Sequence, residues 1–254
     1  MKVAICGSNG FVGTAMGKLF PQAVLFDVNK GSWDEVNACD ICFICVPSNL
    51  LPDKTLDMSI VEDVVSKCNC PLIIIRSTLN PGTCDRLKNL GLGKNICMMP
   101  EYVGESIAHP LLDESKRQFL IIGGLPEDRR KVIELFQTVY NANISIRQVT
   151  NYEAEVIKLS ENRAIAFKMM EIQELFDACE AAKVDYYTIR EAVYNDDPRM
   201  SLWWSWVFPD KRGFNNSKCL KKDIPAWCSW AESVGIDPIL TKTLIKKSND
   251  YAKH

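Results

Sequence analysis

The sequence contains very little histidine, with only His109 and His254, and His254 is its last residue. Histidine is the side chain that most often serves as a general acid or base, because it titrates near neutral pH. Catalysis that depends on a histidine as the acid–base residue is therefore nearly excluded for this chain.

The sequence also lacks an excess of positive charge and any long apolar run. Its 30 lysines and arginines and 32 aspartates and glutamates give a net charge of -2, which offers no broad basic surface for nucleic acid. No apolar stretch approaches the roughly 20 residues that a membrane span needs. The first ten residues, MKVAICGSNG, are typical of a strand and not of a secretion signal or transit peptide. We therefore expect a cytoplasmic protein with no nucleic-acid or membrane partner.

Cysteine, in contrast, is plentiful, with 11 residues. Cys39 and Cys42, and likewise Cys42 and Cys45, have the Cys-x-x-Cys spacing of some zinc and redox sites. The run CDICFICV that contains them has no histidine and is typical of a buried strand, where cysteine acts as a small hydrophobic side chain. We therefore predict reduced thiols and no metal site.

The first half of the chain alternates short apolar runs with helix-like segments. Runs typical of buried strands lie at 2–6, 23–27, 41–46, 71–77, 95–99 and 118–124. Helix-like segments lie at 11–20, 57–68, 82–90 and 126–139. Strands that are buried on both faces have continuous apolar runs, so this alternation predicts a doubly wound parallel sheet of the Rossmann type over residues 1–149.

The second half of the chain has a helical character. Residues 151–183 contain no glycine or proline and are rich in helix formers, which predicts one long helix. Shorter helices are predicted at 185–194, 222–234 and 238–252. The predicted fold class is α/β, with a Rossmann-type domain followed by an all-helical domain over residues 150–254.

Three glycines, Gly7, Gly10 and Gly13, follow the first predicted strand and open a helix. Glycine there permits a tight turn, a close approach of backbone N–H groups to a pyrophosphate, and packing of the helix on the strand. Asp27 ends the second strand, where a carboxylate can accept hydrogen bonds from an adenosine ribose. The motif predicts a dinucleotide site that favours NAD, because Asp27 repels the 2′-phosphate of NADP, although Lys30 weakens this preference.

The Gly-x-x-Gly-x-x-Gly spacing also occurs in short-chain dehydrogenases. Those enzymes need a Tyr-x-x-x-Lys pair, and no tyrosine of this sequence has a lysine four residues later. The short-chain class is therefore disfavoured.

Six further segments follow the glycine loop in order and resemble the UDP-glucose/GDP-mannose dehydrogenase family. They are FICVPSN (43–49), RSTLNPGT (76–83), PEYVGES (100–106), AEVIKLSEN (154–162), DPRM (197–200) and SKCLKKD (217–223). The resemblance implies an NAD-dependent nucleotide-sugar 6-dehydrogenase of the polysaccharide precursor pathways, similar to UDP-glucose 6-dehydrogenase. It also implies a homodimer built on the long helix.

The resemblance assigns the central role to Cys219. Oxidation of a primary alcohol to a carboxylic acid takes two steps, and a nucleophile must hold the intermediate aldehyde as a hemithioacetal. The second step leaves a thioester, which water hydrolyses. Cys219 is the only cysteine in a polar loop that contains lysines, and neighbouring cations favour a thiolate.

Other residues receive catalytic roles from the same resemblance. Lys158 and Asn162 lie four residues apart and share one face of the long helix, where they would stabilise an oxyanion. Glu101 would be the acid–base residue of thioester hydrolysis and Thr78 would hold the water. Asp223 would orient a water or a lysine.

Binding residues are implied in the same way. Those implied for the cofactor are Gly7, Gly10, Phe11, Val12, Gly13, Asp27, Lys30, Val46, Pro47, Ser77, Thr78 and Glu105. Those implied for the substrate are Glu101, Tyr102, Val103, Lys158, Asn162, Arg199 and Lys222. Arg199 would reach the sugar site of the neighbouring subunit.

The sequence departs from the family pattern at four points. The glycine loop is one residue longer, Asn216 and Ser217 stand where the family has glycines, and Lys221 replaces a proline. The chain also ends before the second α/β domain that closes over the nucleotide in the family. We therefore expect this chain to lack the C-terminal nucleotide-sugar-binding domain, so that another chain supplies it, the substrate is smaller, or activity is weak or lost.

Two other functions stay open on the sequence. A β-hydroxyacid dehydrogenase of the 6-phosphogluconate type also joins a dinucleotide domain to a helical one and uses Lys-x-x-x-Asn, but it needs no cysteine. A non-catalytic NAD-binding or assembly protein would keep the fold without turnover.

Overall fold

A computed structural model of the chain describes residues 1–89, 95–104, 113–196, 200 and 211–252. The chain divides into two compact units. Unit 1 consists of Met1–Leu51 and Leu56–Lys158, and unit 2 consists of Pro52–Thr55 and Leu159–His254. The division falls inside the long helix, whereas the sequence predicts a domain boundary between residues 149 and 150.

Unit 1 contains a parallel sheet of five strands in the order β2-β1-β3-β4-β5. The strands are β1 (Val3–Cys6), β2 (Val24–Phe26), β3 (Ile41–Ile44), β4 (Leu72–Ile75) and β5 (Asn95–Met98). All residues of β1, β3 and β4 are buried, which explains their continuous apolar runs. The predicted Rossmann-type parallel sheet is confirmed.

The sixth predicted strand, at 118–124, does not belong to the five-stranded sheet. β6 (Phe119–Gly123) pairs in parallel with β7 (Ser145–Val149) in a separate two-stranded sheet. β7 is not among the predicted strands, because its residues are exposed or half-buried and form no apolar run. The short helix α2 (Trp33–Asn37) is also absent from the predicted elements, although its start is marked by a capping box between Ser32 and Glu35.

The remaining helices of unit 1 lie close to their predicted positions. They are α1 (Phe11–Leu19), α3 (Ser59–Lys67), α4 (Thr83–Leu87) and α5 (Pro126–Phe136), with a 3₁₀ turn at Glu114–Lys116. One face of the sheet packs against α1 and α5 around three aromatic rings. Phe43 of β3 lies 5.5 Å from Phe20 and 5.9 Å from Phe136, measured between ring centroids.

The first turns of helix α6 (Asn151–Ala182) attach to unit 1 through polar side chains. The amide of Asn151 accepts from the N–H of Met98 at 2.8 Å and donates to the carbonyl of Ile96 at 2.9 Å. The buried carboxylate of Glu155 accepts from the N–H groups of Gly82 and Cys84 at 2.6 and 2.8 Å. These bonds fix the start of α6 against β5 and the amino end of α4.

Unit 2 is helical. It contains the rest of α6, then α7 (Tyr186–Arg190), a π-helical turn at Glu191–Asn195, α8 (Leu220–Ser233) and α9 (Ile239–Tyr251). The core of α6, α8 and α9 includes Met170, Ile224 and Leu244. The long helix and the helical second region are confirmed. None of the helices in the described ranges is long and apolar enough to cross a membrane.

Gly13 and Gly17 both lie in α1 and offer a matched test of the packing of this helix. A Cβ on Gly13 would lie 2.1 Å from the carbonyl oxygen of Gly7, whereas a Cβ on Gly17 would lie 3.6 Å from Leu25 Cδ2. We expect Gly13→Ala to lower the free energy of unfolding by about 1–3 kcal/mol, because backbone must move. Gly17→Ala should raise it by about 0.5–1 kcal/mol. Urea unfolding measures both, and equal effects would contradict the close packing at Gly13.

Candidate active site

The glycine loop lies at the carboxyl end of β1, where the strand order of the sheet reverses. Gly7 has φ +82°, and a Cβ there would lie 2.6 Å from the carbonyl oxygen of Cys45. The N–H groups of Gly7 and Ser8 both donate to the carbonyl of Phe26, at 3.0 and 3.1 Å. The loop is therefore held between the ends of β2 and β3, in the crevice where open parallel sheets bind ligands.

The amino end of α1 offers donors for an anion. The first bond within the helix runs from Thr14 N–H to the carbonyl of Gly10 at 2.8 Å, so the N–H groups of Phe11, Val12 and Gly13 come before it. No side chain caps this end, and its first turn has no acidic residue. The Ser8 hydroxyl is buried without a hydrogen-bond partner in the described part of the chain. This arrangement suits a pyrophosphate.

Asp27 is fixed next to the glycine loop, one residue after the end of β2. Its carboxylate accepts from the N–H of Asn9 and from that of Val28, both at 2.8 Å. The backbones of Asp27 and Lys30 exchange two hydrogen bonds of 2.8 and 3.0 Å across a tight turn. A carboxylate accepts several bonds, so Asp27 can still accept from ribose hydroxyls.

The loops that follow β3 and β4 are joined by a buried hydroxyl. Ser77 Oγ donates to the carbonyl of Val46 at 2.6 Å. Val46, Ser77 and Thr78 are buried, whereas Pro47 is exposed. The structure therefore places these predicted cofactor residues on two neighbouring strand ends. Glu105, also predicted for the cofactor, lies outside the described residues.

A cavity of about 690 Å³ opens beside α1. Its walls include Asn9, Phe11, Lys18, Val103 and Glu114. Val103, predicted as a substrate residue, thus shares a cavity with Phe11, predicted as a cofactor residue.

Glu101 and Lys158 form a buried ion pair. Lys158 Nζ lies 3.1 Å from Glu101 Oε1 and donates to the carbonyl oxygen of Glu101 at 2.7 Å. The other carboxylate oxygen accepts from the N–H of Val103 at 3.0 Å. Lys158 Nζ also lies 5.3 Å from the centre of the Tyr102 ring. Two residues with separately predicted catalytic roles, from distant segments of unit 1, are thus brought into contact.

The surroundings of Glu101 keep its side chain ionised. Burial would raise the pKa of Glu101, but the charges of Lys158 and Arg76, the hydrogen bond from Lys158 and that from the Val103 N–H hold it below its usual value. Glu101 is therefore a carboxylate at neutral pH and accepts protons rather than donating them.

Sequence reasoning did not identify a cluster of buried charges next to this pair. Arg76 Nη2 donates to Glu114 Oε1 at 2.9 Å, and Arg117 Nη2 donates to Glu114 Oε2 at 2.7 Å. All three side chains are at most 2% exposed. A signal was present, because Arg76 ends an apolar strand run, where a charge needs a buried partner.

In unit 2, Asp223 joins two other predicted site residues. It is fully buried, and its carboxylate accepts from Asn162 Nδ2 at 2.5 Å and from Lys222 Nζ at 2.8 Å. Asp223 therefore forms hydrogen bonds with both Lys222 and the amide of Asn162.

Cys219 directly precedes the first residue of α8. Its carbonyl accepts from the N–H of Asp223 at 2.9 Å. Ten of the 11 cysteines are buried, and Cys219 is the one that is partly exposed; all 11 lie in the described ranges. Ser217, one of the departures from the family pattern, accepts the N–H of Leu220 at 3.1 Å and so satisfies the first turn of the helix.

Comparisons with known proteins give a consistent result. The NAD binding domain of the UDP-glucose/GDP-mannose dehydrogenase family matches residues 23–144, and the central domain of that family matches residues 152–251. The prediction for Arg199, a residue of the second match, falls outside the described residues.

Individual relatives are more distant. UDP-glucose 6-dehydrogenase from Rickettsia typhi is 27% identical over 82% of this chain and 49% of its own length. The uncharacterized protein MJ1054 from Methanocaldococcus jannaschii is 30% identical over 66% of this chain and 20% of its own length. The structure of a UDP-glucose dehydrogenase from Pyrobaculum islandicum has a TM-score of 0.81 and 22% identity, covering 98% of this chain and 68% of that one. The chain thus spans at most about half the length of these two curated relatives.

A double-mutant cycle tests the Glu101–Lys158 pair. Lys158→Met leaves a buried carboxylate without its partner, and we expect a loss of about 3–5 kcal/mol in the free energy of unfolding at pH 7. The double variant Glu101→Gln/Lys158→Met should lose less than the sum of the single changes, because both charges are gone. Urea unfolding of the four proteins measures this, and additive losses would show that the pair is not coupled.

The pH dependence of stability gives a second readout of the same pair. The pKa of Glu101 is held below its ordinary 4.5 in the folded protein. The stability that this provides is complete above about pH 4.5 and is lost as the pH falls through the lowered value. Glu101→Gln should therefore lose less stability on acidification than the wild type, whereas Glu174→Gln, a change at an exposed position of α6, serves as control.

Proposed function

The chain belongs to the UDP-glucose/GDP-mannose dehydrogenase family, and we propose that it oxidises the primary alcohol of a nucleotide sugar to a carboxylate in two steps with NAD. The observation that carries the proposal is the position of Cys219. It is the one partly exposed cysteine among 11, and it directly precedes α8, whose first turn holds Asp223. The partial positive charge at the amino end of a helix favours an anionic sulfur.

The cysteine performs the covalent part of the proposed reaction. NAD, when bound, supplies the hydride acceptor for each of the two oxidations. After the first oxidation, the Cys219 thiolate attacks the aldehyde carbon and forms a hemithioacetal, which prevents escape of the aldehyde. After the second, the sulfur is joined to the carbon in a thioester. Water adds to this carbon, the C–S bond breaks, and the carboxylate leaves while the thiol is restored.

Lys158 and Asn162 are proposed to stabilise the oxyanions of these steps. The Lys158 ammonium is buried and fixed on Glu101. The Asn162 amide donates one hydrogen to Asp223 and carries a second that it can donate to an oxyanion. Each donor is thus held in place by a carboxylate before substrate binds, and such preorganisation lowers the cost of stabilising charge.

Glu101 is proposed to accept a proton from the water that hydrolyses the thioester. Its low pKa means that it is already ionised at neutral pH and can act as a base in this step. Thr78, buried after β4, is proposed to hold the same water. Tyr102 and Val103 next to Glu101, and Lys222 beside Asp223, are proposed to contact the substrate.

The residues of the glycine loop are proposed to hold the cofactor. Phe11, Val12 and Gly13 offer backbone N–H groups to its pyrophosphate, and Asp27 accepts from its adenosine ribose. A homodimer, with Arg199 of each chain in the sugar site of the other, belongs to the same proposal. The family membership supports it.

The stoichiometry of NADH formation tests the proposed reaction. UDP-glucose, GDP-mannose and their N-acetylated relatives should each be supplied with NAD, and we expect two NADH per sugar for at least one of them. Cys219→Ser should lose the second oxidation, with at least a hundredfold loss of carboxylate formation (on the order of 3 kcal/mol). Cys228→Ala, a buried cysteine of the same helix, is the matched control and should keep activity.

The outcomes of this experiment separate the competing functions. Full activity on a small hydroxyacid in Cys219→Ala would indicate a β-hydroxyacid dehydrogenase of the 6-phosphogluconate type. Binding of NAD without turnover of any of these sugars would indicate a non-catalytic NAD-binding protein. Either result would overturn the proposed two-step oxidation.

Cofactor preference tests Asp27 separately. Asp27→Asn replaces the carboxylate that would repel a 2′-phosphate by a neutral amide. The hydrogen bond from the ribose to this side chain should then be weaker by about 1–2 kcal/mol. We expect the Kd for NAD to rise about tenfold and the ratio of the Kd values for NADP and NAD to fall. Fluorescence titration with both cofactors measures this, with Asp57→Asn as control. An unchanged ratio would show that Asp27 does not face the ribose.

A further inference from the structure

Four cysteine side chains of unit 1 lie together in a place that the proposed reaction does not use. Cys42 Sγ lies 3.5 Å from Cys6 Sγ. The sulfur atoms of Cys42, Cys68 and Cys70 all lie within 4.8 Å of one another. Each of the four residues is at most 2% exposed. The group of three formed by Cys42, Cys68 and Cys70 contains only thiols as possible metal ligands. Sulfur is the donor that soft metal ions prefer.

The fold brings these cysteines together from separate segments. Cys6 ends β1, Cys42 lies within β3, Cys68 follows α3, and Cys70 precedes β4. The Cys-x-x-Cys pairs of the sequence do not form the group, because Cys45 packs with Phe43 in the core on the other face of the sheet. The relevant pattern is Cys68-x-Cys70 together with a strand cysteine, which spacing alone does not reveal.

The turn that carries Cys68 and Cys70 is fixed on both sides by Asn37. Its Nδ2 donates to the carbonyl of Lys67 at 3.2 Å, and its Oδ1 accepts from the N–H of Asn69 at 2.6 Å. Cys70 Sγ donates to the carbonyl of Val36 at 3.1 Å. Lys67 and Asn69 are exposed, so the thiols lie directly beneath a surface turn. The sulfur atoms are thus positioned before any ion binds and lie close to an entry route.

We propose that Cys42, Cys68 and Cys70 bind one soft monovalent metal ion of the Cu(I) class. An ion bonded to sulfur at about 2.3 Å holds three sulfurs about 4.0 Å apart in a plane, or two on opposite sides about 4.6 Å apart. Both spacings agree with sulfur atoms that lie within 4.8 Å of one another. Only small side-chain rotations are then needed.

The number of donors favours Cu(I) over Zn²⁺. Zn²⁺ in structural sites takes four ligands, and the group found among the described residues has three. Cys6 lies against Cys42 and not within that group. Each thiolate that forms releases one proton, and no electron is transferred.

Hydrogen bonds with Cys6, Cys68 and Cys70, together with burial, raise the pKa of the Cys42 thiol well above its usual value. The site is independent of the proposed oxidation, since none of its residues has a role there.

Metal titration of the reduced protein without oxygen tests the proposal. Cu(I) is supplied with a competing chelator to the Cys219→Ala variant, so that the partly exposed thiol does not contribute. Native mass spectrometry should show one copper per chain, with a rise in Tm on loading. Adding Cys68→Ala and Cys70→Ala should abolish both effects. Adding Cys84→Ala and Cys97→Ala, two buried cysteines of unit 1 outside the group, should preserve them.

Several results would overturn the proposal. One is copper binding that survives loss of Cys68 and Cys70, and another is absence of bound copper at any ratio of Cu(I) to protein. A third is tighter binding of Zn²⁺ than of Cu(I). A fourth is loss of the mass of two hydrogens, which would show that two thiols form a disulfide in place of a metal site. Copper X-ray absorption of the wild-type chain gives a test that does not depend on folding of the variants. Coordination by two or three sulfurs alone supports the site, and nitrogen or oxygen ligands contradict it.

Discussion

The attachment of the first turns of α6 to unit 1 is the constraint on which the rest of the predicted site in this unit depends. Asn151 extends the hydrogen bonding of β5, and Glu155 satisfies two N–H groups at the amino end of α4. These buried polar bonds allow little sliding or rotation of the helix, because any shift would leave donors and acceptors unpaired. Lys158 lies one turn further on and therefore reaches Glu101 with its position already determined. The first turns of the long helix thus fix the position of the Lys158 ammonium beside Glu101.

Charge balance explains why so many ionised groups can be buried around Glu101. Arg76, Arg117 and Lys158 contribute three positive charges, and Glu101 and Glu114 contribute two negative ones. The excess of one cation helps to hold the pKa of Glu101 below its usual value, against the effect of burial. It also carries a cost, since Nε and Nη1 of both arginines have no hydrogen-bond partner in the described part of the chain. Such a cost is typical of functional sites rather than of cores built for stability alone.

The sequence was sufficient for those features that depend on local pattern. The five strands of the parallel sheet, the long helix and the glycine loop with Asp27 each have a period or spacing that their structure requires. It was insufficient where tertiary partners decide. β7 has no apolar run, the Arg76–Glu114 bond joins residues from distant segments, and Cys42 meets Cys68 and Cys70 only through the packing of α3 on the sheet. The chemical roles came from the ordered family motifs, which no periodicity could supply.

The departures around Cys219 are consistent with a working cysteine. Glycines before the cysteine would leave the first turn of α8 uncapped, whereas Ser217 accepts the N–H of Leu220 and fixes the point at which the helix begins. Lys221, in the position of the family proline, is exposed and lies within the first turn, where its N–H bonds to the carbonyl of Ser217 at 3.5 Å. A proline there would lack this donor. Both departures therefore add hydrogen bonds at the start of α8. Cys219 itself lies at the amino end of this helix, directly before Leu220.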